Sequence, residues 1–318
     1  MKEQISEITL SDIIDAKKLI VGHVTRTPIL NSSSINRITG AEVSFKCENF
    51  QKVGAFKFRG ATNAVLSLSQ SDAAKGVATH SSGNHAQALA LAASHRNIPA
   101  YIVMPNNSPI VKSDAVREYG GKIIFCEPTL QAREDTLNQV VEETGAIFIH
   151  PYNNYKVICG QGTATLEILE DMGDIDCIIA PVGGGGLLSG TSLAAKSIAS
   201  NIKVYAAEPE GADDAYRSFK SGAIVPSVNP KTIADGLLTS LGDKTFAIIS
   251  KYTDDIFRVS EIVIIEAMKL IWQRMKIVVE PSAAVTLAAI LSNSEFFKGK
   301  KVVCILSGGN VDLAKLPF

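Results

Sequence analysis

Short apolar runs rich in β-branched residues alternate with longer segments whose apolar positions recur at helical spacing. This is the pattern of a parallel sheet whose strands are joined and covered by helices. The clearest series predicts a strand at 76–80, an alanine-rich helix at 84–95, a strand at 100–104 and a helix at 109–119. It continues with a strand at 122–126, a helix at 130–143 and a strand at 146–149. A second series predicts a helix at 162–172, a strand at 177–181, a helix after Gly186 and a strand at 204–207. Helices at 263–275 and 281–292 and a strand at 301–306 close it. An amphipathic helix opened by Ser11, with Ile13, Ile14, Leu19 and Ile20 on one side, needs a surface to cover. The expected division is therefore a small domain at 76–153 and a large one built from 1–75 and 154–318. Ligands of such open α/β sheets bind in the cleft outside the carboxyl ends of the strands.

Composition narrows the function. The chain has 318 residues, 46% hydrophobic and 20% charged, so it has ample material for a packed core. With 31 Lys and Arg against 32 Asp and Glu, its formal charge is −1, and it lacks the basic surplus that nucleic-acid binding requires. No apolar run is long enough to span a bilayer, and Met1-Lys2-Glu3-Gln4-Ile5 lacks the order of a signal peptide, so a cytoplasmic, membrane-free protein is expected. Cys47, Cys126, Cys159, Cys177 and Cys304 are widely spaced and mostly set in apolar runs, which reads as reduced core thiols.

Four segments carry candidate chemistry. Gly183-Gly184-Gly185-Gly186 follows a buried strand and precedes a helix, so successive N–H groups can converge on an anion at the helix N-terminus. The segment has neither the Gly-Lys-Ser/Thr of a nucleotide P-loop nor the spacing of a dinucleotide site; the bland alternative is a tight turn. Lys57 lies between Phe56 and Phe58 at the head of a helical pattern. It reads either as a desolvated amine suited to Schiff-base chemistry or as an amphipathic lysine whose stem covers apolar surface. The turn from Thr79 to Gln87 offers small donors to a carboxylate at a helix N-terminus, or simply caps that helix. Ser307-Gly308-Gly309-Asn310 ends the last strand with a hydroxyl that something flat could approach.

In their order along the chain, these segments resemble the fold-type II pyridoxal-phosphate enzymes, and within them the serine racemase and serine/threonine dehydratase group. The carriers are Phe56-Lys57-Phe58-Arg59-Gly60, Ser81-Ser82-Gly83-Asn84-His85, Gly183 to Gly186, Glu208-Pro209, Thr232-Ile-Ala-Asp-Gly236 and Ser307 to Asn310. The resemblance implies a tryptophan synthase beta-like α/β fold with a mobile small domain and a large cofactor-binding one. It implies that Lys57 carries pyridoxal 5'-phosphate covalently, Gly183 to Gly186 hold its phosphate and Asn84 bonds its ring oxygen. Ser307 would face the pyridine nitrogen, with Phe56, Gly236 and Glu280 bordering the ring. A neutral hydroxyl there moderates the electron sink, which favours elimination and reprotonation over transamination. Ser81 to His85 would receive the substrate carboxylate, and Lys57 and Ser82 would be the two acid/base groups that inversion of an α-carbon needs. Arg133 stands where racemases carry an arginine near the substrate, and it would also suit a second carboxylate, as in 3-hydroxyaspartate.

The resemblance also implies a magnesium, calcium or manganese site at Glu208, the Ala212 carbonyl and Asp214, a stretch that by itself reads as a solvated acidic loop. Ser32, Ser33, Ser34, Lys52, Gln87, Tyr119, Lys276 and Asn310 match positions that bind ATP between subunits, and a homodimer is implied with them. Two positions depart from the animal racemase pattern: Tyr152-Asn153 follows His150-Pro151 where asparagine would come directly, and Val53 replaces a threonine. The chain ends shortly after Asn310, so no appended regulatory domain and no feedback inhibition by isoleucine are expected. The expected activity is racemisation of serine with dehydration to pyruvate and ammonia. The alternatives are a dehydratase of threonine, serine or 3-hydroxyaspartate, and a phosphate- or nucleotide-binding module without chemistry.

Overall fold

The computed structural model describes residues 8–108 and 110–318. Pro109, the expected first residue of one helix, and the Met1–Ile5 start lie outside the described residues. The strands are β1 (Ile29–Asn31), β2 (Glu42–Cys47), β3 (Val77–His80), β4 (Ala100–Pro105), β5 (Lys122–Cys126), β6 (Ile147–Phe148), β7 (Cys177–Pro181), β8 (Lys203–Pro209), β9 (Asp255–Val259) and β10 (Lys301–Leu306). They form two sheets, of order β1-β2-β10-β7-β8-β9 and β5-β4-β3-β6. Every pairing is parallel except β1 with β2. Helices cover the strands, so β7 and β10 are apolar along most of their length and buried on both faces.

The expected strands and helices of both series are present, with differences at particular places. β1, β2 and β9 have no counterpart in the expectation, because short strands with charged residues give little periodic signal. The first helix begins at Leu10 and is capped by Thr9 and Asp12 rather than opened by Ser11. Its buried stripe is Ile13, Ala16 and Ile20, whereas Ile14 and Leu19 are 38% and 40% exposed. At 3.6 residues per turn, positions 14 and 19 flank that stripe instead of joining it. The helix expected at 162–172 runs from Tyr155 to Asp171. The Asn154 side chain caps it by accepting from the N–H groups of Lys156 and Val157.

That long helix organises the interior through two glycine contacts. A Cβ on Gly160 would lie 2.6 Å from the Cα of Gly60, in the helix Lys57–Leu66. A Cβ on Gly190, in the helix Gly186–Ile198, would lie 2.5 Å from the nitrogen of Gly162. Backbones therefore touch at both crossings, and only glycine permits that approach. One rigid rod thus holds the helix that starts at Lys57 and the helix that starts at the glycine loop. The carboxyl ends of β3, β7 and β10 deliver His80, Pro181 and Ser307 to one cavity between the sheets.

Candidate active site

Lys57 is placed by the end of β10. The Phe56 N–H donates to the Ser307 carbonyl at 2.9 Å, and Ala55 bridges Gly308. The preceding turn is strained, since Val53 has φ 57°, a left-handed conformation that a β-branched residue rarely adopts. It is held there by Asn310, whose Nδ2 donates to the Val53 carbonyl at 2.7 Å, and by the Gly309 N–H, which donates to the Gly54 carbonyl at 2.9 Å. The Lys57 amine donates to the Pro151 carbonyl at 3.0 Å and lies 5.1 Å from the centroid of the Phe56 ring. Burial pushes its pKa down to about 8, against the opposing pull of the Glu280 carboxylate. The part-buried amine stands at the wall of the cavity between the sheets.

The glycine loop lies opposite. Gly185, at φ 87°, is the N-cap of the helix Gly186–Ile198. The Thr245 hydroxyl donates to the Gly184 carbonyl at 2.9 Å, which gives that carbonyl a partner within the protein. A Cβ on Gly183 would be 2.9 Å from the Cα of Leu237, and one on Gly184 would be 2.3 Å from the Tyr152 ring. The loop is therefore packed on both sides, and a flexible turn would not need such contacts. A helix N-terminus preceded by consecutive glycines is suited to an anion, because its backbone N–H groups have no intrahelical partner.

The turn from Ser81 to His85 opens the helix Asn84–His95 toward the same cavity, which has a volume of about 390 Å³. Phe56, Lys57, Ser81, Ser82, Gly83, Asn84, His85, Arg133, the four loop glycines, Gly236, Glu280 and Ser307 all line it. The structure thus brings together every residue expected to bind cofactor or substrate. Asn84 Nδ2 contacts Glu280 Oε1 and Oε2 at 3.1 and 3.2 Å, and its Oδ1 accepts from Asn310 Nδ2 at 2.9 Å. A second Nδ2 hydrogen is what Asn84 can offer a ligand. Burial raises Glu280 to about 7, and nearby Asp235 adds to the rise. His85 Nε2 meets the Ile149 carbonyl at 3.1 Å and so carries the proton, leaving Nδ1 buried and unpartnered. Burial drives the ring's pKa down to about 3, so it stays neutral, and a carboxylate here would be received by N–H groups rather than by an imidazolium.

Three further residues line the cavity that were not among the expected site residues. His150 Nδ1 accepts from the N–H groups of Asn153 and Tyr152 at 2.9 and 3.3 Å, which leaves the proton on Nε2. Burial lowers its pKa to about 4. Tyr152 stacks edge-on to it at 4.5 Å and covers Gly184 and Gly186, giving the Tyr152 departure a structural role. Lys112 reaches across from the helix Ile110–Glu118 to pair with Asp235 at 2.7 Å. Partners so distant in sequence leave no local pattern.

The expected cation residues are adjacent. Glu208 ends its carboxylate on the N–H groups of Ala215 and Tyr216, at 2.9 and 2.8 Å. Asp214 is 1% exposed, and neither of its carboxylate oxygens nor the Ser227 hydroxyl has a partner of hydrogen-bond geometry. Burial raises Glu208 to about 8 and Asp214 to about 6. Among the described residues no group of three or more His, Cys, Asp or Glu is arranged for a metal, so a cation here would depend on two carboxylates, a carbonyl and water. Of the expected nucleotide set, Gln87, Tyr119 and Asn310 line a second cavity of about 440 Å³, together with Lys112 and Asp235. Ser32, Ser33, Ser34, Lys52 and Lys276 do not line it. Ser32 stands at the N-cap position of the helix Ser33–Thr39 without a side-chain capping bond, and Lys276, at φ 61°, ends the helix Glu261–Met275.

With a part-buried lysine and a packed glycine loop on one cleft between two mostly parallel sheets, the chain belongs to the pyridoxal-phosphate dependent enzymes, whose family model matches residues 20–308. Among its relatives is the beta-hydroxyaspartate dehydratase of Paracoccus denitrificans (strain Pd 1222), 53% identical over 98% of each chain. The serine racemase of Dictyostelium discoideum is 51% identical over 99% of this chain and 98% of that one. The solved structure of maize serine racemase superposes with a TM-score of 0.95 at 47% identity, covering 97% of this chain and 95% of that one. The expected fold-type II architecture and the expected family are both borne out.

Proposed function

We propose that this protein racemises serine and eliminates water from it, using pyridoxal 5'-phosphate bound at Lys57. The observation that carries the reading is a single cavity in which the enclosed Lys57 amine, the packed glycine loop, the Ser81–His85 turn and Ser307 meet. The residues fit the cofactor: the loop glycines supply N–H groups for its phosphate, Asn84 has a free amide hydrogen, and Ser307 offers a neutral hydroxyl. Bound there, pyridoxal phosphate supplies the electron sink that makes an amino acid's α-proton acidic. Lys57 takes and returns that proton on one face, and the Ser82 hydroxyl does so on the other. The N–H groups of the Ser81–His85 turn hold the substrate carboxylate. Asn84 and Glu280, bonded to each other, align the ring edge.

A second substrate has its own support. The buried Arg133 Nε has no partner, and Arg133 shares the cavity with His80 and His150. That is a place for a second carboxylate, as carried by 3-hydroxyaspartate. The Paracoccus denitrificans relative and a 48% identical L-threo-3-hydroxyaspartate ammonia-lyase of Saccharomyces cerevisiae are named for that chemistry. Divalent cation bound by Glu208, Asp214 and the Ala212 carbonyl would answer the unpartnered Asp214 oxygens. ATP is proposed for the cavity of Gln87, Tyr119 and Asn310, with the remaining members of the set supplied by the second subunit of a homodimer. The small-sheet unit, residues 76–153, is proposed to close over bound substrate.

Incubation with L-serine and with L-threo-3-hydroxyaspartate, followed by chiral separation of amino acids and assay of 2-oxo acids, tests the reading. D-serine and pyruvate are expected from serine, and oxaloacetate from hydroxyaspartate. Pyruvate without D-serine would reduce Ser82 to a carboxylate binder, and no turnover of either substrate would end the proposal.

A further inference from the structure

Beneath the cavity lies an ionic cluster that the chemistry above does not use. Lys46, Glu48 and Arg59 are completely buried and Glu167 nearly so, and none of the four lines the catalytic cavity. Arg59 forks onto two carboxylates at once: Nε and Nη2 reach Glu48 at 2.7 and 2.9 Å, while Nη1 and Nη2 reach Glu167 at 2.7 and 2.8 Å. The one remaining N–H, on Nη1, faces the Thr163 hydroxyl at 3.2 Å, and the Thr25 carbonyl at 3.3 Å shares an Nη2 hydrogen already engaged. Lys46 donates to Glu167 at 2.6 Å and to the Thr27 carbonyl at 2.7 Å, and the Thr27 hydroxyl donates to Glu48 at 2.6 Å. Two positive and two negative charges balance. Burial opposes the charge on Arg59, and its two carboxylate partners outweigh burial and hold it protonated.

A buried cluster of this kind adds little stability over well-packed apolar side chains, so its value lies in directed geometry. The elements it joins are telling. Arg59 is two residues from Lys57 in the first turn of the same helix. Glu48 directly follows β2, whose last residue pairs with Leu306 beside Ser307. Glu167 belongs to the helix Tyr155–Asp171, which also grips the helix of the glycine loop at Gly162 and Gly190. The three groups that ring the cavity, Lys57, Ser307 and the glycine loop, therefore hang from elements tied by one guanidinium. The Gly60–Gly160 contact fixes how close the two helices come, but smooth backbone contact does not fix sliding or rotation. A double fork does, because each bidentate pair accepts one orientation.

We infer that Arg59 is a positioning residue, whose buried fork to Glu48 and Glu167 sets where Lys57 stands relative to Ser307 and the glycine loop; the inference rests on the role of Lys57 proposed above. Two variants test it: Arg59→Lys, which loses the fork, and the double variant Lys46→Met with Glu167→Leu. The double variant removes one charge of each sign, keeps the Arg59–Glu48 pair and fills the space with apolar atoms. Each holoenzyme is treated with borohydride, and pyridoxal phosphate trapped on Lys57 is counted by mass spectrometry, alongside kcat, KM and Tm for L-serine turnover.

The expected result is a fall in kcat per trapped site of about 10- to 100-fold, the scale of an ångström misplacement, with KM nearly unchanged. A merely structural cluster would lower Tm and the trapped fraction while each trapped site kept the wild-type kcat, and that result overturns the inference. If Arg59→Lys does not fold, the double variant alone decides by the same criterion. Wild-type protein with no adduct at Lys57 is a separate outcome, which removes the cofactor reading and this inference with it.

Discussion

The chemistry of single residues here follows from how each is enclosed. Lys57 has its pKa pushed down to about 8 by burial, although Glu280 opposes the shift. Unfolded, the amine titrates near the ordinary lysine value, so between about 8 and 10.5 the unfolded chain binds a proton that the folded one does not. Stability of the cofactor-free protein therefore carries a penalty from Lys57 below about pH 8, which is relieved as pH rises through that window. The free amine is also the form that reacts. Uptake of pyridoxal phosphate by cofactor-free protein should accelerate with pH with a midpoint near 8, measured by absorbance of the bound cofactor in stopped flow. A midpoint above 10 would show an ordinary, solvated lysine. Asp214 gives a second prediction at this scale. Its buried carboxylate, with only the Ser227 hydroxyl beside it, should make the protein gain Tm on adding magnesium, and Asp214→Asn should remove that gain without lowering the metal-free Tm. An equal magnesium-induced gain in the variant would place the cation elsewhere.

Among the elements, the helix Tyr155–Asp171 has the largest share in building the site. Its glycines are not loop signals but contact points, where the helices of Lys57 and of the glycine loop approach to backbone distance. Gly60→Ala puts a methyl group 2.4 Å from the Gln161 amide nitrogen and 2.7 Å from the Val157 carbonyl. Overpacking of this kind should cost about 1–3 kcal/mol, read as a lower midpoint in urea. Gly83→Ala is the control, because nothing lies within 4 Å of a Cβ there. If the two variants were equally stable, the backbone crossing would not be what holds these helices. The strained turn at Val53 belongs to the same scale. It ends one element and aims the next, and Asn310 holds it from the far end of the chain.

For the whole molecule, the question is how the two sheets address one ligand. Lys112 and Asp235 pair across the cleft with side chains 29% and 54% exposed. An exposed pair is worth about 0.2–1 kcal/mol, so it can bias the proposed closure but not enforce it. Asp235→Asn should accordingly raise KM for L-serine by at most about fivefold, and wild-type protein in high salt should show the same rise. A large fall in kcat instead would mean that Asp235 acts in the chemistry.

How far the sequence reached can be seen in particular residues. Lys57 between two phenylalanines, the run from Gly183 to Gly186, the Ser81–His85 turn and the strand ending at Ser307 were legible because each depends on neighbours within one local segment. The strands and helices of the parallel layers were legible for the same reason, since burial on one or both faces imposes a period on the side chains. The thiols expected in the core are all buried and free. What the tertiary structure alone decided is every relation between segments. It turned Thr245 onto the Gly184 carbonyl, locked His150 in one tautomer, laid Tyr152 over the loop glycines and closed the Arg59 fork on Glu167, 108 positions away. Local periodicity records which side of an element faces the core, whereas the choice of partner across the core depends on packing and hydrogen-bond satisfaction among residues that leave no pattern in the chain.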